Sequence, residues 1–139
     1  MTYALDSNIV SYLLKEKGGV IARLRRVIDN GDEVVIPPIV FYEVQGGLLA
    51  KNLLKRLADF EAFVQSTKRV EFVWPIWQRA TEIYASLSQK GRLIDDLDLL
   101  IAAFCLEKDY MLVTNNLRHF ERIDGLKLVN WQEEGASTN

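Results

Sequence analysis

Short strand-like runs that alternate with helical segments, polar residues waiting at the ends of those runs, and one helix that is apolar nearly all round together predict an α/β protein. Its strands are expected to form a parallel sheet covered by helices on both faces. The apolar helix carries the argument furthest. From Leu97 to Leu106 every residue is apolar except Asp98, and a helix of that kind belongs in the middle of a domain rather than on its surface. Ile101, Ala102 and Cys105 follow Asp98 at i+3, i+4 and i+7, so a helix puts the carboxylate on the stripe of those side chains. An ionised carboxylate there is costly unless a cation or hydrogen-bond donors compensate it. Asp95 and Asp96 stand just ahead, where a cap is expected, with Asp96 the candidate, so Asp98 falls inside the first turn and reads as functional.

Taken in order, Tyr3–Leu5 is a short strand pattern that runs into Asp6, Ser7 and Asn8 before the apolar series Ile9, Val10, Tyr12, Leu13 and Leu14. That is strand, tight turn, helix, with Asp6 at the carboxyl end of the strand and Ser7 or Asn8 as the cap. Gly18 and Gly19 interrupt, and Val20, Ile21, Leu24, Val27 and Ile28 then take helical spacing, with Arg23, Arg25 and Arg26 on a solvated face. Val34–Ile36 is a buried-strand run, and Pro37 and Pro38 end it and open a helix. Glu43 is the only charge between Val34 and Val44, and Ile39, Val40 and Val44 surround it at helical spacing.

Gly46 and Gly47 are expected to break that helix. Leu49, Leu53, Leu57, Phe60 and Val64 then form a stripe, with Lys51, Lys55 and Arg56 elsewhere, while Leu48, Leu54 and Phe63 widen the apolar surface enough to suggest that a protein partner covers it. Val70–Val73 reads as a third strand, and Pro75 starts a helix that carries Ile76, Ala80, Ile83, Tyr84 and Leu87 to a stop at Gly91. The apolar helix ends near Lys108. Met111–Thr114 is a fourth strand followed by Asn115 and Asn116, and Leu128–Trp131 supplies a fifth after a short helix. No repeat, low-complexity segment or linker appears, so one domain over residues 1–134 is expected, with 135–139 a frayed tail.

The composition excludes several classes. Of 139 residues, 49% are hydrophobic and 26% charged, as in ordinary globular domains and unlike disordered or fibrous chains. Lys plus Arg number 17 against 19 Asp plus Glu, so nucleic-acid binding would have to come from a local patch. The single cysteine, Cys105, forbids an intrachain disulfide and suits a reducing cytoplasm. Asp6 arrives before any leader pattern can form, and no apolar run approaches the ~18 residues of a membrane span, so neither export nor membrane insertion is expected.

In parallel sheets ligands bind outside the carboxyl ends of the strands. Asp6 follows the first strand, Asn115 and Asn116 the fourth, and Glu43 lies on the helix leaving the second, so these groups can converge with Asp98 on one rim. Carboxylates gathered in a poorly solvated crevice either take up protons or bind a divalent cation. All-oxygen ligation suits magnesium, with manganese as substitute. Zinc is disfavoured, because His119 is the only histidine and Cys105 is buried in its helix. Magnesium held by few carboxylates completes its shell with substrate phosphate, which directs the reading to phosphoryl transfer.

The chain also resembles the PIN-domain ribonucleases, most closely the VapC-type toxins of bacterial toxin-antitoxin pairs. The resemblance rests on LDSNI at Leu5–Ile9, the glutamate in PPIVFYEVQGG, IDDLDLLIAA at Ile94–Ala103, and VTNNLRHFERIDGL at Val113–Leu126 with Trp131 after it. It implies a three-layer α/β/α sandwich around a parallel sheet of four to five strands. By similarity Asp6, Glu43 and Asp98 form a catalytic, metal-binding acidic triad, with Asn116 where many PIN domains carry a fourth acid. Asp95 stands where these toxins often have Gly, and Asn116 is neutral, which leaves one or two metal ions open. The implied activity is endonucleolytic hydrolysis of RNA by metal-activated water, transfer RNA included. The implied partners are a cognate antitoxin and a second copy in a homodimer.

On that footing Ser7 and Asn8 are candidates to donate to a metal-bound water or a phosphate oxygen, if they do not simply cap the first helix. Thr114 and Asn116 are expected to orient Asp98 or a water. Arg118 and Arg122, four apart and expected on one helical face, are candidate phosphate contacts, with a solvated face as the competing reading. His119 is not assigned a catalytic part. Two other classes compete. A phosphoaspartyl phosphotransfer domain would want a second aspartate two positions after Asp6, where this chain has Asn8. A non-catalytic RNA- or protein-binding module on the same fold would lack metal-dependent cleavage.

Overall fold

The computed structural model describes residues 1–17 and 19–132. Gly18 and the tail expected over 135–139 lie outside them. Four strands, β1 (Thr2–Leu5), β2 (Glu33–Val35), β3 (Met111–Val113) and β4 (Leu128–Val129), form one all-parallel sheet in the order β2-β1-β3-β4. Seven helices among the described residues complete the sandwich: α1 (Ser7–Leu14), α2 (Val20–Asp29), α3 (Pro38–Ala50), α4 (Leu54–Ser66), α5 (Trp74–Gln89), α6 (Asp96–Lys108) and α7 (Leu117–Phe120). The chain leaves β1 for β2 on one side and later returns to β3 on the other, so the strand order reverses between β1 and β3. In parallel sheets that reversal opens a crevice at the carboxyl ends. The register pairs Leu5 with Val113, which sets Asp6 beside Thr114 as the chain leaves the sheet; the Asp6 N–H donates to Val113 O at 2.9 Å.

The core is continuous and apolar. Ala4, Leu5, Val35, Leu112 and Val113 from the sheet pack with Ile101–Cys105 of α6, and with Phe60, Phe104, Phe120 and Trp131 as the largest fully buried rings. α6 is buried over five consecutive residues, as expected for a helix apolar all round. Its end is set by Asp109 in the left-handed region at φ 59°, with Tyr110 N–H donating back to Cys105 O at 2.9 Å.

Three expectations fail, each for a physical reason. The segment 70–73 is not a strand. Its alternation places Phe72 against Trp77 (ring centroids 4.7 Å) and Phe104 (6.1 Å), so the period of two reflects an aromatic anchor rather than a ladder. α3 does not stop at Gly46 and Gly47 but runs through them to Ala50. The buried stripe Val40, Val44 and Leu48 holds it, and this outweighs the helix penalty of about 1 kcal/mol per glycine. The break comes at Asn52, left-handed at φ 58°, with Leu53 N–H donating to Leu48 O in a Schellman-type closure. Leu49 therefore sits on α3, exposed, and is not part of the α4 stripe formed by Leu57, Phe60 and Val64 with Leu53 ahead of it. No helix among the described residues is long and apolar enough to cross a membrane.

Candidate active site

The end of β1 builds the first wall of the crevice. Asp6 is 3% exposed and has extended backbone (φ −73°, ψ 160°), so its side chain turns back and accepts the Ser7 N–H at 2.8 Å. Asp6, rather than Ser7 or Asn8, is thus the cap of α1. Its second oxygen, Oδ2, accepts from Thr114 Oγ1 at 2.7 Å and from Asn8 Nδ2 at 3.3 Å. Three donors hold this carboxylate in one orientation. Burial nevertheless pushes its pKa above the ordinary value, aided by the charge of Asp98, while the bonds from Thr114, Ser7 and Asn8 pull the other way.

The end of β3 builds the facing wall. Thr114 is fully buried, and while its hydroxyl donates to Asp6 its oxygen accepts the Asn116 N–H at 2.9 Å. Thr114 therefore orients Asp6, not Asp98. Asn115 stitches the walls together, donating from its backbone to Asn8 Oδ1 (3.4 Å) and from its side chain to the Tyr12 hydroxyl (3.2 Å).

α6 and α3 supply the remaining carboxylates. Asp95 caps α6, accepting the Leu97 N–H at 3.1 Å, so the cap falls one residue earlier than Asp96, which is the first helical residue. Asp98 lies one turn in as expected, but at the crevice mouth, with its side chain 19% exposed. Burial raises its pKa, the contact with His119 opposes that, and the charge of Asp95 adds to it. Glu43 is raised by burial and by the charges of Asp6, Asp98 and Asp95, against a hydrogen-bonding contribution from Ser7. Its Oε1 is buried and without a hydrogen-bond partner among the described residues. Three carboxylates that all resist ionisation, one with an orphaned oxygen, are a donor set suited to a divalent cation. Among the described residues no three acidic, His or Cys side chains close into a ready-made metal cage. Cys105 is fully buried and its thiol is pushed well above the usual range, first by burial and then by the charge of Asp6, so it stays a neutral core residue.

Asn116 reaches Asp98 only through a third residue. Its Nδ2 lies 2.9 Å from His119 Nδ1, which lies 3.3 Å from Asp98 Oδ2. A single ring nitrogen cannot both accept from Asn116 and donate to Asp98, so the tautomer decides which contact is a hydrogen bond. His119 is the site residue that sequence reasoning passed over. The available signal was its position three residues after Asn116 in the segment leaving β3. Tyr12, two turns into α1 from the rim, was likewise read only as an apolar position. Arg118 is exposed on α7, whereas Arg122 lies beyond that helix and donates through Nη1 to Arg92 O (3.3 Å) and Leu93 O (3.2 Å). The two arginines do not share a helical face, and Arg122 fastens the loop that leads into α6.

Comparison with known proteins agrees with this fold. Residues 3–126 match the PIN domain model. The chain is 32% identical to "Ribonuclease VapC2" of Haemophilus influenzae over 94% of its own length and 98% of that protein. It is 29% identical to the "tRNA(fMet)-specific endonuclease VapC" of Salmonella typhimurium, again over 94% and 98%. Among solved structures it superposes on a chain of VapBC2 from Rickettsia felis, a structure bound to a DNA fragment from the promoter, at a TM-score of 0.87 and 31% identity, covering 94% of this chain and 99% of that one.

Proposed function

The chain belongs to the PIN-domain family, in its VapC branch, and on that premise we propose that it is the toxin of a toxin-antitoxin pair and a magnesium-dependent endoribonuclease. The reading is supported by the electrostatic coupling of three carboxylates near the strand-order reversal of the sheet: burial raises the pKa of Asp6, Glu43 and Asp98, and the charge of Asp98 acts on both Asp6 and Glu43. Asp6, Asp98 and Glu43 would hold the ion, magnesium or manganese in its place. A magnesium ion bound there supplies charge for the scissile phosphate and lowers the pKa of an attacking water.

The protein's own groups do the rest. Thr114, Asn8 and the Ser7 N–H fix Asp6 so that no rotamer freedom is spent when a ligand arrives. His119 lies against Asp98 at the crevice mouth, with Asn116 behind it on the same ring nitrogen, so the tautomer of His119 sets whether the Asp98 carboxylate is held. Arg118, exposed on α7 beside His119, would be the candidate to contact a phosphate oxygen. Ser7, whose hydrogen bonding favours the ionised form of Glu43, would also be a donor for a water or phosphate oxygen.

The relatives named for initiator transfer RNA favour a structured RNA of that class as substrate. A cognate antitoxin would cover the exposed apolar side chains of α3 and α4, Tyr42, Leu49 and Leu54, which are 67%, 57% and 66% exposed, and the resting state would be a homodimer in the cytoplasm. The purified protein should cut RNA to 5′-phosphate and 3′-hydroxyl ends with magnesium or manganese, and lose that activity in chelator without unfolding. Sequencing of the cleaved ends in expressing cells names the RNA; cleavage at full rate in excess chelator refutes the metal.

A further inference from the structure

A groove of about 320 Å³ leaves the acidic rim and runs down between α1, α3 and α4. Two helices line its length with matched stripes. Ser7, Ser11 and Lys15 stand at i, i+4 and i+8 on α1 and its cap, and Glu43, Gly47 and Lys51 do so on α3 and its cap. Eight residues of helix span about 12 Å, so Lys15 and Lys51 sit roughly that far from the carboxylates. Arg56 of α4 joins them in the lining. The floor between the two ends is kept open by small residues; a Cβ built on Gly47 would meet nothing within 4 Å.

The charge arrangement is what gives the groove a function. Lys15, Lys51 and Arg56 are not paired with any carboxylate among the described residues, although the chain as a whole carries a net charge of −2. Three unpaired cations along a channel whose other end holds Glu43 suit a polyanion that crosses the carboxylate site and continues past it. We infer that this groove is the track for the RNA backbone flanking the scissile phosphate, with Lys15, Lys51 and Arg56 binding its phosphates. The inference rests on the ribonuclease reading given above. It also supplies the local basic patch that the overall composition does not show.

The test is binding of a fluorescein-labelled single-stranded 12-nucleotide RNA, followed by anisotropy in excess chelator, so that it does not depend on whether the protein cleaves. The triple variant Lys15→Gln/Lys51→Gln/Arg56→Gln removes three phosphate contacts. Each contact to single-stranded nucleic acid contributes ~0.7 to the slope of log affinity against log salt, so the slope should flatten by about 2 and affinity should fall by up to about a hundredfold at 0.1 M salt. Arg25→Glu/Arg26→Gln, on exposed positions of α2, lowers the net charge by the same three units and should bind like the parent. Gly47→Leu blocks the floor without removing charge; it should fold, since a helix-interior glycine over open space tolerates a side chain, and should also weaken binding. Unchanged affinity and salt slope in the triple variant overturns the inference, even if the parent cleaves RNA. So does a triple variant that binds RNA normally but no longer co-purifies with the antitoxin, which would give the groove to the protein partner. Parental cleavage that proves metal-independent would instead refute the ribonuclease mechanism while leaving the binding result to stand.

Discussion

Replacing Thr114 by valine removes one of the three donors that hold Asp6 and almost nothing else. Both partners of the 2.7 Å bond from Thr114 Oγ1 to Asp6 Oδ2 are buried, at 0% and 3% exposure, and valine keeps the volume, so no cavity opens. A hydrogen bond to a charged group contributes about 1.5–3 kcal/mol. Thr114 also accepts the Asn116 N–H, which is only partly buried, so the expected loss is about 2–3 kcal/mol at neutral pH. For a chain of this length that lowers Tm by roughly 5–15 °C. Thr114→Ser keeps the hydroxyl and loses one buried methyl, about 1 kcal/mol, and should fall between valine and the parent. The bond favours ionised Asp6, so removing it raises a pKa already raised by burial. The valine penalty should therefore be full above both folded pKa values and shrink as pH falls through them. Urea unfolding of the three proteins at neutral and acidic pH measures this. A valine variant within 0.5 kcal/mol of the parent at neutral pH, or one less stable than serine by the same margin at every pH, refutes the account of how Asp6 is held.

Asp6, Glu43 and Asp98 all have pKa values raised first by burial and then by neighbouring carboxylates, Asp98 acting on Asp6, Asp6 with Asp98 and Asp95 on Glu43, and Asp95 on Asp98. A raised carboxyl pKa means that the folded state binds more protons than the unfolded one between the ordinary value and the raised one. In chelator these groups should therefore cost stability progressively as pH rises from the ordinary carboxyl range near ~4 through their folded values, and excess manganese should flatten the profile; Tm against pH with and without metal checks both signs. Asp95→Ala should lose about 1 kcal/mol by removing the α6 cap, whereas Asp96→Ala should stay within about 0.5 kcal/mol of the parent. Denaturant melts that rank them the other way would return the cap to Asp96. Gly46→Ala should stabilise α3 by about 1 kcal/mol, since a Cβ there meets nothing within 4 Å; an unchanged or lowered unfolding midpoint would show that the exposed position carries another constraint.

The sheet was legible because its strands are short apolar runs followed at once by polar residues: Leu5 by Asp6, Val113 by Thr114 and Asn115. α6 was legible for the opposite reason, its lack of a polar face, which made Asp98 conspicuous. What sequence reasoning could not weigh was tertiary compensation. Two adjacent glycines end a helix unless a stripe such as Val40, Val44 and Leu48 is buried on the other side. Val70 and Phe72 alternate like a strand, but Phe72 is held by Trp77 and Phe104 instead of a neighbouring strand. Side-chain pairing was the least legible level. The His119 contact to Asp98 spans 21 residues and the Thr114 contact to Asp6 spans 108, and neither leaves a periodic trace. The choice between Asp95 and Asp96 as cap depended on where the backbone enters the helix, a difference of one residue that composition does not resolve.

The central claim is that Asp98, rather than its acidic neighbours, completes a metal-dependent nuclease site with Asp6 and Glu43. Cleavage rates of one defined RNA by the parent, Asp98→Asn and Asp96→Asn, each in manganese and in chelator, test it most directly. The account predicts cleavage by the parent and by Asp96→Asn in manganese only, and almost none by Asp98→Asn, with Asp98→Asn melting no lower than the parent in chelator because a repelling carboxylate has left the cluster. An active Asp98→Asn beside an inactive Asp96→Asn would contradict it.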